Sequence, residues 1–412
     1  MSEFGKLKIA IVGGSLSGCI AATLLFRTGH EVTVLERSRS GLLGRGGGLT
    51  TSRTVLEELK SLDLLDADFA ASPFHTLKMS KLSEENAYVG RCPLTRPIDM
   101  HCVNWGGFWQ NLRKRVPDEI YFQGKTVSQA EETNGCVSLT LEDGSTEAYD
   151  LVVFADGYRS AGRKLLFPDI DLSYRGYFVW RGVLPESEVS DSDPLNDHPR
   201  YSYKNIDGSF VSFIIPDSSG SMIPGERIIN WAAYIPLPAE DLPEFMMDND
   251  GHVRSGSIPS GAMRPEQDTD LKALMTEQLP SYYGEILNKS QGNQIQLIYS
   301  CALPAYRKGR MCLVGDAGMM VQPMTGAGVF KGFSNARDLV DALGSGKDLD
   351  SALESWSIRQ TRVAHRMLEM GHEMEQAFIW NTIDLAKASP EECELWWEKS
   401  IRVPEEFSYF AT

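Results

Sequence analysis

The chain has 412 residues, 42% hydrophobic and 23% charged, with 40 Lys and Arg against 56 Asp and Glu and a formal net charge of -16. That length supports two or three domains' worth of core, and the balance is that of a globular protein. The acidic surplus disfavours nucleic acid or an anionic membrane as a partner, and no apolar run approaches the roughly 18 residues of a membrane span.

The N-terminal MSEFGKLKIAIVGG has no signal-type apolar region, because its short apolar run leads into a glycine turn. The cysteines at 19, 92, 102, 136, 301, 312 and 393 show no C-x-x-C spacing, and the histidines show no H-E-x-x-H. No metal site is expected. The cysteines read as buried free thiols of a reducing compartment, which points to the cytoplasm.

Ile9 to Val12 is mostly β-branched and apolar, which predicts a strand buried on both faces. Gly13 and Gly14 break it, Cys19 to Phe26 predicts a helix closed by Gly29, and Glu31 to Leu35 predicts a second strand. This is one βαβ crossover. Gly13 lets the chain turn sharply, Gly18 lets the helix pack closely, and the helix N-terminus between them suits a pyrophosphate. Glu36 ends the second strand, where an acid accepts hydrogen bonds from ribose hydroxyls. The fingerprint is G-x-G-x-x-G; Ser15 replaces its middle glycine and brings a hydroxyl of its own.

Residues 38–52 read as a glycine-rich loop, either a plain linker or a segment that lies flat against a ligand with Arg45 facing phosphate or ribose. Thr54 to Leu65 has helical spacing, and 73–104 looks irregular. Gly106 to Arg115 predicts a short helix. Strands are expected at 120–122, 127–131 and 137–141, with a hairpin turn at Glu142-Asp143-Gly144. Tyr149 to Phe154 reads as a further buried strand, ended by Ala155-Asp156-Gly157.

From Ser173 to Ser300 aromatic and β-branched residues alternate with polar ones, which predicts an antiparallel lobe. Tyr201, Tyr203, Phe213, Trp231 and Tyr234 are its candidates for lining a ring-binding pocket, and each is equally a candidate for a plain core face. Helices are expected at 270–279 and 333–343, one or two long ones at 349–380, and a strand at 310–314 before Gly315-Asp316. The fold class is α/β: the strands at 8–12, 31–35, 151–154 and 310–314 share one parallel, Rossmann-like sheet, with the antiparallel lobe inserted and helices at the C-terminal end. The expected divisions are 1–172, with some lobe residues near 73–104, and 301–380 for the nucleotide-binding domain, 173–300 for the lobe and 381–412 for a tail.

Three motifs then stand in order: GGSLSG (13–18) with Glu36, ADGYRSAGR (155–163) and LVGDAGMMVQPMTGAGVFKG (313–332). In these, and nearly throughout to about residue 375, the chain resembles the single-component, para-hydroxybenzoate-hydroxylase-like FAD monooxygenases. GYFVWRGVLPESEV (176–189) is similar to their 2,6-dihydroxypyridine 3-hydroxylase branch. The resemblance implies bound FAD, transient NADH or NADPH, and O2 as co-substrate. It implies hydroxylation of a small electron-rich aromatic or N-heteroaromatic ring through a C4a-hydroperoxyflavin. On the cofactor side it places Gly13, Ser15, Leu16, Ser17, Gly18, Glu36, Arg37, Arg45, Gly47, Val127, Asp156, Gly315, Asp316, Gly326, Ala327 and Gly328. Arg181, Pro323 and Met324 join the pocket candidates, with Arg181 either a ligand group or a cation stacked on Trp180. No catalytic side chain is assigned, and a homodimer stays open.

The chain departs from the family at Gly318-Met319-Met320, where A-H-P is usual, and at Trp105, where an arginine is usual. Two other readings remain. One is a flavin-dependent halogenase, of whose W-x-W-x-I-P motif Trp231 to Pro236 is a loose echo. The other is a non-catalytic flavin- or nucleotide-binding protein.

Overall fold

The computed structural model describes residues 5–42, 44, 47–196 and 199–401. Arg45 lies outside them. The four distant apolar runs do share one sheet. Its six strands run in the order Arg307–Lys308, Met311–Leu313, Leu151–Phe154, Lys8–Val12, Glu31–Glu36, Tyr121–Gln123. Every pairing is parallel except the first hairpin. Helices Leu16–Arg27 and Gly328–Leu343 pack on this sheet and on each other.

The run expected as one strand from Tyr149 to Phe154 is broken at Asp150. Thr146–Tyr149 belongs to a separate three-stranded antiparallel sheet with Val127–Thr133 and Cys136–Leu141. The Asp150 carboxylate accepts from the Lys8 amide at 2.7 Å, which fixes the corner between the two strands.

The lobe is a nine-stranded sheet in the order Ser257–Ile258, Gln294–Ser300, Ser173–Pro185, Ile228–Pro236, Ser209–Ile215, Pro199–Ser202, Ser72–Lys81, Arg91–Asn104, Gly48–Ser52. It is antiparallel apart from the join of Pro199–Ser202 to Ser72–Lys81. Residues 73–104 are therefore not irregular; they form two of the longest strands in the chain. Register shifts between Phe74 and Thr76 and between Met79 and Lys81 disturb the alternation, which hides a period of two. The glycine-rich loop likewise ends in an edge strand.

Successive residues of a strand face opposite sides. One face of the lobe carries Phe178, Trp180, Tyr201, Phe210 and Trp231, packed under helices Pro265–Gln278 and Ser281–Lys289. The other carries Tyr177, Val179, Val211, Phe213 and Tyr234. Three pocket candidates thus belong to the helix-side core. Trp231 Nε1 donates to Ser290 Oγ at 3.1 Å, Tyr201 Oη to Val89 O at 2.7 Å, and Tyr203 Oη to Ser209 O at 2.8 Å.

Helix Leu349–Glu375 runs into a π-turn at Gln376–Trp380. The expected tail contains a further helix, Pro390–Ser400, opened by a capping box between Ser389 and Glu392. Among the described residues no helix is long and apolar enough to cross a membrane. Trp231→Ala is expected to lower the unfolding free energy by about 3–5 kcal/mol in urea titrations. A loss under about 1 kcal/mol would contradict its buried placement.

Candidate active site

The first motif is fixed before any ligand arrives. Gly13 has φ +102°, and a Cβ on Gly18 would overlap the Gly13 carbonyl oxygen. The Gly14 amide donates to Glu36 Oε2 at 2.8 Å, while its carbonyl accepts from Trp109 Nε1 and Tyr121 Oη, each at 3.0 Å. The second oxygen of Glu36 accepts from the Ser38 amide at 2.7 Å. Glu36 is thus buried and anchored to backbone on both oxygens, an arrangement that leaves each oxygen a further lone pair.

The motifs are joined to one another. Ser17 Oγ occupies the space that a Cβ on Gly315 or Gly332 would take. Asp156 Oδ2 accepts from the amides of Ala161 at 2.7 Å and Gly162 at 3.2 Å, at the start of helix Ala161–Leu166. Its other oxygen is buried without a partner, and burial pushes its carboxyl above the usual range. Arg163 donates to the carbonyls of Asp316 at 3.1 Å, Ala317 at 3.2 Å and Tyr158. Arg163 thereby ties the second motif to the third.

These elements meet at a cavity of about 890 Å³. Ser15, Leu16 and Ser17 bring the N-terminus of helix Leu16–Arg27 to its wall, and Gly326, Ala327 and Gly328 bring that of helix Gly328–Leu343. Neither helix start has a side-chain cap, so both present unpaired amides and a positive dipole end. Asp316 projects beside them, paired with the buried Lys331 at 2.5 Å, and Lys331 also donates to Met319 O at 2.9 Å. The opposite wall is the open face of the lobe.

Of the remaining candidates, Arg181, Phe213, Tyr234, Pro323 and Met324 line the cavity; Tyr201, Tyr203 and Trp231 do not. Arg181 and Trp180 point to opposite faces, so they do not stack. Gly47 lies at the cavity's edge, close to Arg181 and Asn230, with Trp105 donating to its carbonyl at 3.0 Å. Arg37 is exposed, and Val127 is buried against Val12 and Leu35 in the core behind the parallel sheet; neither reaches the cavity.

Arg200, Asn230, Gln322 and Lys331 are among the lining residues that sequence reasoning missed. Asn230 Oδ1 accepts from the Gly48 amide at 2.6 Å. Gln322 Nε2 donates to Glu375 at 2.9 Å while its Oε1 has no partner. The signal for Arg200 and Asn230 was parity, since each neighbours a helix-side aromatic in its strand.

The site fits a dinucleotide flavin: two uncapped helix starts and an acid converge on one cavity, beside motifs packed so closely that Gly18, Gly315 and Gly332 leave no room for a Cβ. The FAD binding domain-like family model matches residues 174–300, and the NAD(P)-binding Rossmann-like model matches 11–81. The chain is 27% identical over 369 residues to 2,6-dihydroxypyridine 3-monooxygenase of Paenarthrobacter nicotinovorans, covering 89% of this chain and 90% of that one. It is 25% identical over 362 residues to salicylate hydroxylase of Pseudomonas putida, covering 82% and 77%. The solved 2,6-dihydroxypyridine-3-hydroxylase from Arthrobacter nicotinovorans superposes with a TM-score of 0.82 at 25% identity, over 93% of this chain and 96% of that one.

The named relatives define a class, FAD-dependent oxidoreductases of the aromatic-hydroxylase kind, which this chain resembles in fold and cavity. Within it the chain is close to the 2,6-dihydroxypyridine 3-monooxygenase. The halogenase alternative is not supported, since the named relatives are hydroxylases and other monooxygenases. Asp316→Ala is expected to weaken FAD retention about tenfold or more, the worth of a charge-assisted hydrogen bond. Equilibrium dialysis of the folded variant checks this; unchanged retention would contradict a cofactor role for Asp316.

Proposed function

We propose that this chain is an FAD-dependent monooxygenase that consumes NADH or NADPH and O2 and hydroxylates an electron-rich aromatic or N-heteroaromatic ring, such as a hydroxypyridine. The single observation that carries the reading is the convergence of both helix starts and Asp316 on one cavity whose far wall is a largely apolar sheet face. It acts as a cytoplasmic enzyme on a small aromatic substrate.

The amides of the first helix turn, after Ser15, hold the pyrophosphate. Asp316, held in place by its pair with Lys331, would accept from ribitol hydroxyls. The uncapped amides from Gly328 onward would meet the flavin's pyrimidine edge, where the helix dipole favours negative charge. Bound FAD supplies the redox and oxygen chemistry that no side chain here provides. Phe213 and Tyr234 present flat surfaces to a ring, and Val179, Val211 and Met320 keep water from it.

A screen of hydroxylated aromatics tests the reaction by following NAD(P)H loss, oxygen uptake and product mass together. Product that gains one oxygen atom from 18O2 is the expected outcome; oxygen derived from water would overturn the reading. Hydride transfer from a transiently bound nicotinamide depends on a fleeting geometry. Flavin reduction by NADH or NADPH is therefore expected to be slow alone and faster with the right ring. Fast, ligand-independent reduction in stopped flow would count against a transient nicotinamide site.

A further inference from the structure

Arg181, Ala232, Val211 and Arg200 form one cross-strand row on the lobe's open face, each paired with the next across adjacent strands. All four line the cavity. Strands lie about 4.8 Å apart, so the two arginines stand about 14 Å apart along the row. The small side chains of Ala232 and Val211 leave the space between them open.

The two arginines differ. Arg181 is partly buried and reaches toward the Gly47–Gly48 turn, on the side of the first motif. Arg200, at the far end, is only 5% exposed. Its Nη1 donates to Ser209 Oγ at 3.2 Å, and its Nε is buried with no hydrogen-bond partner. The guanidinium lies 4.7 Å from the Phe378 ring centroid and 5.9 Å from that of Tyr234. Tyr203 and Tyr177 also lie near it. Among the described residues no carboxylate pairs with it. A buried cation with only aromatic rings and one hydroxyl around it is strongly unfavourable alone, and is kept where a ligand supplies the opposite charge.

We propose that Arg200 is the substrate's anion anchor, and that the substrate is an aromatic carboxylate whose ring lies over Ala232 and Val211. This rests on the cavity being a hydroxylase's ring pocket. Carboxylate is the matching group because its two coplanar oxygens suit the planar Nε and Nη edge of a guanidinium. A single buried guanidinium does not neutralise a phosphate dianion.

The test is calorimetric binding to the FAD-loaded enzyme of salicylate and 6-hydroxynicotinate, each beside its neutral carboxamide. Each acid is expected to bind about tenfold or more tighter than its amide. Arg200→Gln is expected to erase that preference by weakening the acid, with amide affinity nearly unchanged, and Arg200→Lys to retain part of it. FAD content and Tm matching the parent protein establish that a variant is folded; if the glutamine variant fails this, the lysine variant carries the comparison. Equal binding of acid and amide, no saturable binding of either acid, or a preference that survives Arg200→Gln would overturn the anchor. The reaction is judged separately. An acid preference that depends on Arg200, without 18O in the product, supports the anchor while overturning the hydroxylation reading.

Discussion

One buried carboxylate holds the two halves of the molecule in register. Glu375, at the end of the long helix, is fully buried. It accepts from Arg175 Nη2 at 2.5 Å and Nε at 3.0 Å, from Tyr177 Oη at 3.2 Å, and from Gln322 Nε2 at 2.9 Å. Arg175 and Tyr177 belong to the lobe; Gln322 stands in the third motif's loop. Removing one partner from such a cluster costs about 3–5 kcal/mol, because the charge left behind is unsolvated. The cavity lies between the elements that this node joins, so its width is set by hydrogen bonds of fixed length.

The same logic governs the nucleotide end. The first motif closes on itself where Glu36 takes the Gly14 amide, and the motifs interlock where Ser17 fills the gap left by Gly315 and Gly332 and Arg163 takes the carbonyls beyond Gly315. The glycines are therefore spacing devices between motifs as much as turn formers. The replacement of the fingerprint's middle glycine by Ser15 is compatible with this, since close approach is demanded at Gly14, by Tyr121, and at Gly18.

The parallel sheet and its order of motifs were legible because buried strands and glycine turns are local signals. The lobe was legible as antiparallel sheet, but which residues face the cavity was not. Aromatics drew attention to Tyr201 and Trp231, whereas a strand's period of two hands the cavity to their neighbours Arg200, Asn230 and Ala232. Only the helices over one face decide which parity is inside, and those come later in the chain, at Pro265–Gln278 and Ser281–Lys289. Strands 72–104 were obscured by bulges. Helix Pro390–Ser400 did carry a readable cap in Ser389 and Glu392, and its Trp397 and the following Ile401 close part of the cavity.

That division of the lobe by parity separates two kinds of inheritance. Residues facing the helices answer to the fold, and their alteration is paid in stability. Residues facing the cavity form a smaller cluster, part of whose surface is left to whatever enters it. A lineage of such proteins is free to exchange Ala232, Val211 or Phe213 and acquire a new ring preference while Trp180, Phe210 and Trp231 hold the lobe together behind them. Diversification of this scaffold is then a matter of alternate letters in four adjacent strands, which leaves the rest of the sentence intact.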